Sequence, residues 1–294
     1  MKLLRITIIL ALCLFCMYAF CISMGLVPVL PSKNSKYNPT NKYIKAVPDL
    51  DKIMDLIGKG EDMNGLDKKR GLSSLHFIAE SINCLNFFDD CYLISREESV
   101  YNEDENKKIR DELIYRYYKA AELLLDNGAN VDVKDKDGNT ALRYCSDVKC
   151  IKFFLQYGAD INARNLAGET LIFSSELNKD VIELMIKNGA DVNVKNFKGE
   201  TALFYERNPK RVRLLVKYKI KVNEQNNEGK TVLHYILSEK NPSYKLILEL
   251  LKSGAEVDIK DKNGITPLDI AFKNSEIYTT KIFKEIYGAM LKYK

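Results

Sequence analysis

The chain has 294 residues, 46% apolar and 29% charged, a composition that excludes a disordered polymer and leaves enough apolar material for a core. Its formal net charge is +5, of which Lys2 and Arg5 contribute two. From Ser32 onward 43 basic residues face 40 acidic ones, a balance that argues against a polyanion binder and so against nucleic acid as a partner.

Ile6 to Leu30 is uncharged and strongly apolar. Its cleanest part, Ile6 to Ile22, sits at the bottom of the ~17–25 residues that span a bilayer and exceeds the ~7–15 of a signal-peptide core. Both a signal peptide, cleaved after the small residues Ser23 and Gly25, and an uncleaved membrane anchor over residues 6–30 fit this pattern. Either reading gives an exported or membrane-tethered protein. Cys13, Cys16 and Cys21 lie inside the run; Phe15 and Phe20 stand where lipid attachment to Cys16 or Cys21 needs a small residue, so these thiols read as small hydrophobes. Pro31 to Pro48 is polar, rich in Asn and Lys, and reads as a linker.

From residue 49 the pattern becomes helical. Ile53, Leu56 and Ile57 make one stripe, with Gly60 at the C-cap. The next unit opens at Gly71-Leu72-Ser73-Ser74-Leu75-His76, but about 37 residues are inserted relative to its neighbour. The insertion, at about 80–111, has an apolar part with Phe87, Phe88, Tyr92 and Leu93, then a charged part from Arg96 to Glu112 expected to be a mobile loop. Such an excursion is a candidate contact surface. Cys84 and Cys91 within it are a candidate disulfide in an oxidising compartment; Cys145 and Cys150 could close one there too, but both replace apolar helix positions, which favours free thiols.

Gly138, Gly168, Gly199, Gly229 and Gly264 fall 30, 31, 30 and 35 residues apart, and Thr140, Thr170, Thr201, Thr231 and Thr266 keep the same register. Such a period means stacked supersecondary units. Thr-to-Gly intervals of 18 or 19 within the units imply a first helix clipped by most of a turn. Core stripes follow from Leu142, Ile172 and Leu203 on the first helices and from Ile151, Phe154, Ile182, Met185, Val212 and Leu215 on the second. Lys219-Ile220 replaces the Gly-Ala of the other units, so this turn is expected to be the least regular. Ile282, Ile286 and Met290 suit a closing helix.

Thr266-Pro267-Leu268, Thr231-Val232-Leu233-His234 and Gly189-Ala190-Asp191-Val192-Asn193 resemble the ankyrin repeat, and with the N-terminal run the chain resembles a bacterial-type ankyrin repeat protein with a signal peptide or anchor. The resemblance implies an all-α ankyrin-repeat solenoid over residues 49–294: paired antiparallel helices, inter-repeat hairpin loops, and about six repeats including caps. It implies that His76 and His234, the only histidines, bridge backbone groups of adjacent turns. It also implies a monomeric protein-binding module, not an enzyme, with a concave face and hairpin tips as its contact surface.

No zinc-protease helix, phosphate-cradling glycine loop or serine-nucleophile elbow is present, and no cofactor or metal is expected. The basic clusters Lys107-Lys108-Ile109-Arg110 and Lys210-Arg211-Val212-Arg213 lack aromatic interleaving and read as solvated helix faces. The resemblance puts the residues before each turn glycine at the tips: Lys136 and Asp137, Leu166 and Ala167, Phe197 and Lys198, Asn227 and Glu228, Lys262 and Asn263. Leu166 and Phe197 are the apolar exceptions, with Arg164 and Lys195 just before them. The pair with its cations suits an acidic, partly apolar protein segment. The alternative is an effector, toxin or enzyme accessory whose activity lies in the 80–111 insertion.

Overall fold

The computed structural model describes residues 49–87, 103–174 and 177–274, together with Lys284, Tyr287 and Gly288. The N-terminal apolar run, the linker up to residue 48, the middle of the insertion and the core stripe expected of a closing helix lie outside the described residues. Among the described residues there are nine α-helices, three single 3-10 turns and no strand. No helix among them is long and apolar enough to cross a membrane. They form two compact units, the first running to Cys145 and again from Lys149 to Ala159, the second comprising Ser146–Val148 and the chain from Asp160 onward.

The first unit holds α1 (Leu50–Gly58), α2 (Ser74–Phe87), α3 (Glu103–Asp126), the 3-10 turn Ala141–Tyr144 and nearly all of α4 (Val148–Gln156). Asp49 caps α1 by accepting the Lys52 backbone N–H. Helix α1 packs on α3, and α2 packs on α3 and on the 3-10 turn. Their shared core is Ile53, Leu75, Ile78, Ile82, Tyr117, Leu124, Leu142, Ile151 and Phe154, all essentially closed to water. The stretch read as an insertion is helical at both of its described ends. Ala79 and Ile82 are core residues of α2, and the charged stretch expected to be a loop is helical from Glu103 onward. The straight-chain Lys, Arg and Glu residues of this stretch favour helix strongly enough to extend α3 back into the insertion.

The second unit holds the 3-10 turns Leu171–Phe173 and Ala202–Tyr205 and the helices α5 (Lys179–Lys187), α6 (Pro209–Lys217), α7 (Val232–Ser238), α8 (Tyr244–Lys252) and α9 (Pro267–Lys273). Side chains of Asn178, Asn208, Ser243 and Thr266 accept backbone N–H groups at the starts of α5, α6, α8 and α9. Ile182, Met185, Leu203, Val212, Leu215, Leu233 and Leu250 are buried, as their spacing requires.

Where the sequence shortens the first helix, little of it survives: a single 3-10 turn of three or four residues. At ~1.5 Å rise per residue an interval of 18 cannot hold two α-helices and the turn between them. Where the spacing opens to 35, α7 forms in full. The turn at Lys219-Ile220 is regular after all. Lys219 takes φ 63 itself, and Ile220 donates to the Leu215 carbonyl at 3.1 Å just as Ala190 donates to Met185 at 3.0 Å. The cost of the missing glycine is met in backbone strain, about 1 kcal/mol, with no change of geometry.

Candidate functional site

Each hairpin tip is built around one short polar side chain three residues before its glycine. Asp135 Oδ1 accepts the backbone N–H groups of Asp137 and Asn139, both at 2.8 Å. Asn165, Asn196, Asn226 and Asp261 repeat the arrangement, each accepting from the residues two and four positions on at 2.8–3.0 Å. Two backbone donors of every tip are thereby drawn onto one side chain, which suits Asp and Asn because their side chains reach no farther than their own turn. The signal is present in the sequence as a recurrent Asp or Asn three residues before each turn glycine.

In the second unit the tips are joined to one another. Phe197 N–H donates to Ala167 O, Asn227 N–H to Lys198 O and Lys262 N–H to Glu228 O, at 2.9–3.0 Å. A second set of bonds runs beside them. Arg164 donates to the Lys195 carbonyl, Lys195 Nζ to the Gln225 carbonyl at 3.1 Å, and Gln225 Nε2 to the Lys260 carbonyl at 3.0 Å. Each rung thus starts from the side chain four residues before one glycine and ends on the backbone of the same position in the next repeat. A third set comes from Asn162, Asn193 and Asn223. Each donates to the carbonyl of Gly189, Lys219 or Gly254 and accepts the N–H two residues farther on, from Asp191, Lys221 or Glu256, at 2.8–3.1 Å.

The residues singled out from sequence sit as follows. Lys136 and Asp137 are exposed on a tip of the first unit. In the second unit Leu166 is 70% exposed and Phe197 67%, on tips one repeat apart, with Lys198, Asn227 and Glu228 also exposed. The Arg164 guanidinium lies over the Phe197 ring, 5.7 Å from its centroid. Lys195 is differently placed from its expected role: its ammonium is 2.5 Å from Glu224, and that contact holds the Glu224 carboxyl below its ordinary value. The cations that accompany the apolar pair outward are therefore Arg164 and Lys198. Glu228 is paired with Lys230 at 2.7 Å. The Cys84–Cys91 pairing falls partly outside the described residues, because Cys91 is among those not described. Cys145 and Cys150, read as apolar thiols, form a disulfide.

Both histidines bridge turns. His76 Nδ1 faces Ser73 N–H and Oγ while Nε2 lies 2.8 Å from the Asn139 carbonyl; His234 repeats this with Thr231 and Ile265. Nδ1 accepts from a backbone N–H in each case, which fixes the proton on Nε2. Burial holds both imidazoles below their ordinary value. The folded chain therefore binds fewer protons than the unfolded one below about pH 6.5, and the contribution of a neutral ring is complete above that pH and lost as pH falls. The stability difference between the natural chain and a His234→Gln variant is expected to grow as pH rises toward about 6.5 and then level off. Urea midpoints across that range measure it, and a difference that stays constant with pH would contradict a neutral His234.

Glu200, 6% exposed, gathers Tyr205 at 2.7 Å, Asn196 at 3.3 Å and Tyr235 at 3.2 Å. Burial raises its pKa, but the three hydrogen bonds outweigh that and leave it lowered. Every polar partner in this cluster comes from the second unit's own chain, so it reads as a satisfied network that rigidifies the tips. Among the described residues no group of acidic, cysteine or histidine side chains could hold a metal ion.

The profile described as ankyrin repeats (3 copies) matches residues 171–261 and 201–289, and the single ankyrin repeat profile matches residues 137–166. An ankyrin repeat protein of Fowlpox virus (strain NVSL) is 44% identical over 46 residues, which is 14% of this chain and 9% of that protein. That relative is viral, so the bacterial-type likeness expected from the N-terminal run finds no counterpart in it. The crystal structure of the human ASB11 ankyrin repeat domain has a TM-score of 0.53 at 19% identity, over 86% of this chain and 98% of that one, a likeness of fold alone.

Proposed function

We propose, from the premise that this chain belongs to the ankyrin repeat family, that it is a non-enzymatic module that binds a protein partner through the hairpin tips of its second unit. Ankyrin repeat domains generally serve protein–protein interaction. The observation that carries the reading is the exposure of Leu166 and Phe197 on neighbouring tips, above a ladder that holds their backbone in place. The tips need no rearrangement to bind, and preorganisation of this kind lowers the cost of association. The partner segment is apolar and acidic: two side chains to cover Leu166 and Phe197, and a carboxylate for Arg164 and Lys198.

Each apolar anchor contributes about 1–2 kcal/mol when fully desolvated. Capture of partners by the natural chain, run beside a Leu166→Ser/Phe197→Ser double variant, tests the site. Affinity for the retained partner is expected to fall at least tenfold with the melting temperature nearly unchanged. Equal affinity would remove the tips from consideration, and an unfolded variant would make the two residues core.

The proposal extends to an exported or membrane-tethered location. The apolar run after Lys2 and Arg5 supports it, as does the Cys145–Cys150 bond, since disulfides persist in oxidising compartments. Protease added to intact cells should then digest the repeats; full protection would rule the location out.

A further inference from the structure

Two repeats with the same Thr-to-turn spacing can be laid over one another residue by residue. Ala141–Tyr144 and Ala202–Tyr205 are both 3-10 turns that start one residue after the motif threonine, and α4 and α6 start at the same later position. The residue that ends each 3-10 turn has the same backbone: φ -82, ψ 133 at Cys145 and φ -82, ψ 132 at Glu206. Each donates its N–H back to the leucine of its own turn, Leu142 at 3.1 Å and Leu203 at 3.2 Å. Five residues farther on, inside the second helix, stand Cys150 and Arg211. One repeat joins this pair of positions by a disulfide with Cα atoms 5.6 Å apart. The other joins them by a buried ion pair, Arg211 Nε to Glu206 Oε2 at 2.6 Å.

The coincidence has a physical origin. A three- or four-residue 3-10 turn makes too few internal bonds to hold itself, so the loop after it gains from a further link between the two elements it connects. A link from the end of the short turn to the first turns of the next helix supplies what a longer helix would have supplied.

We infer that Cys145 and Cys150 form a redox-dependent staple, the covalent counterpart of the Glu206–Arg211 ion pair, so that the order of the segment from Ala141 to Cys150 follows the oxidation state of the two sulfurs. In the reducing direction a dithiol gives up two electrons and two protons, closes to its own cyclic disulfide, and leaves Cys145 and Cys150 as thiols. Oxidation by a disulfide of higher potential reverses the step. Both cysteines are closed to water, at 2% and 0% exposure, so exchange with a dithiol proceeds through local opening of this same segment. The ion pair in the other repeat has no such dependence, which gives the molecule an internal reference.

The full chain is denatured without reductant and alkylated, and the 145 and 150 positions are read by mass spectrometry; protection of both shows the bond. Native chain is then compared before and after dithiothreitol treatment by amide hydrogen exchange. At residues 141–150 exchange is expected to accelerate at least tenfold on reduction, while residues 202–211 stay unchanged. A Cys145→Ser/Cys150→Ser variant is expected to exchange like the reduced chain and to ignore dithiothreitol. Alkylation of both cysteines in the unreduced denatured chain overturns the inference. So does an acceleration below tenfold in natural chain whose two thiols are verified as reduced, a criterion that holds whether or not the serine variant folds.

Discussion

Glu206→Ala is expected to destabilise the chain by about 3–5 kcal/mol, a large share of the ~5–15 kcal/mol that holds a domain together. Glu206 is 4% exposed and Arg211 8%, so the substitution leaves a guanidinium that cannot shed its proton inside the fold without its counter-charge. It removes more than the ion pair. The other carboxylate oxygen accepts the N–H groups of Arg207 and Asn208 at 2.8 and 2.7 Å, and these donors would be left without their acceptor. Arg211 also donates to the carbonyls of Leu177 and Ser174, both at 2.8 Å, so a displaced guanidinium loosens the preceding repeat as well. Glu206→Gln keeps an oxygen acceptor and a polar neighbour for Arg211, and is expected to cost less than half as much. Chemical denaturation of the two variants decides the matter; equal and small losses would mean that the pair is dispensable.

Gly199→Ala is expected to cost about 2–4 kcal/mol, although it adds only a methyl group. Gly199 has φ +77, which costs an L-residue about 1 kcal/mol. The methyl would also lie 2.8 Å from the Asn227 backbone nitrogen and 2.5 Å from its side-chain oxygen, and that nitrogen is bound to Lys198 O as part of the tip ladder. Relief of the clash requires one tip to move away from the next. Gly189→Ala is the control: its φ is +85 with nothing within 4 Å of the added carbon, so it should lose only the conformational part. If the two variants melt alike, the closeness of the tips is not what constrains Gly199.

The repeat register and the core were legible because both rest on periodic signals. Turn glycines fixed the phase, and stripes such as Ile182 and Met185 or Val212 and Leu215 could face only one way. Shortening of the first helices was legible from an interval, though the interval understated it, since the surviving turns are 3-10 and not α. Apart from the histidine bridges that the family resemblance implied, what escaped was carried by single polar atoms reaching to the next repeat. Arg164 and Lys195 look like surface cations in sequence, and nothing local reveals that their donors end on carbonyls a full repeat away. Cys145 and Cys150 were misjudged for the opposite reason: they occupy apolar positions, which suits a thiol and a disulfide equally well. The helical character of Glu103–Glu112 was hidden because a charge-rich stretch with asparagines has the composition of a loop, while its packing partners become visible only along α3 as a whole. The exposure of Leu166 and Phe197 was legible from their place before the turn glycine, where a side chain has no core to reach.

The rungs that join successive tips have a bearing on how such a gene can change length. Each rung in the second unit runs from a fixed position of one repeat to a fixed position of the next, indifferent to how many residues lie between. The glycine spacings of 30, 31, 30 and 35 residues show that indifference at work, for the extra residues of the longest interval went into α7 and the loop after it, and Lys262 still meets Glu228 at 3.0 Å. Codons added or lost on the helix side of a repeat are therefore absorbed, and duplication of a whole repeat adds one more rung of the same kind. A single codon inserted between Asn196 and Gly199 would instead disturb the tip itself, whose Phe197 N–H and Lys198 carbonyl hold the tips on either side. Natural length variants of this chain should carry their insertions between the helices or in whole repeats, and leave the tips untouched.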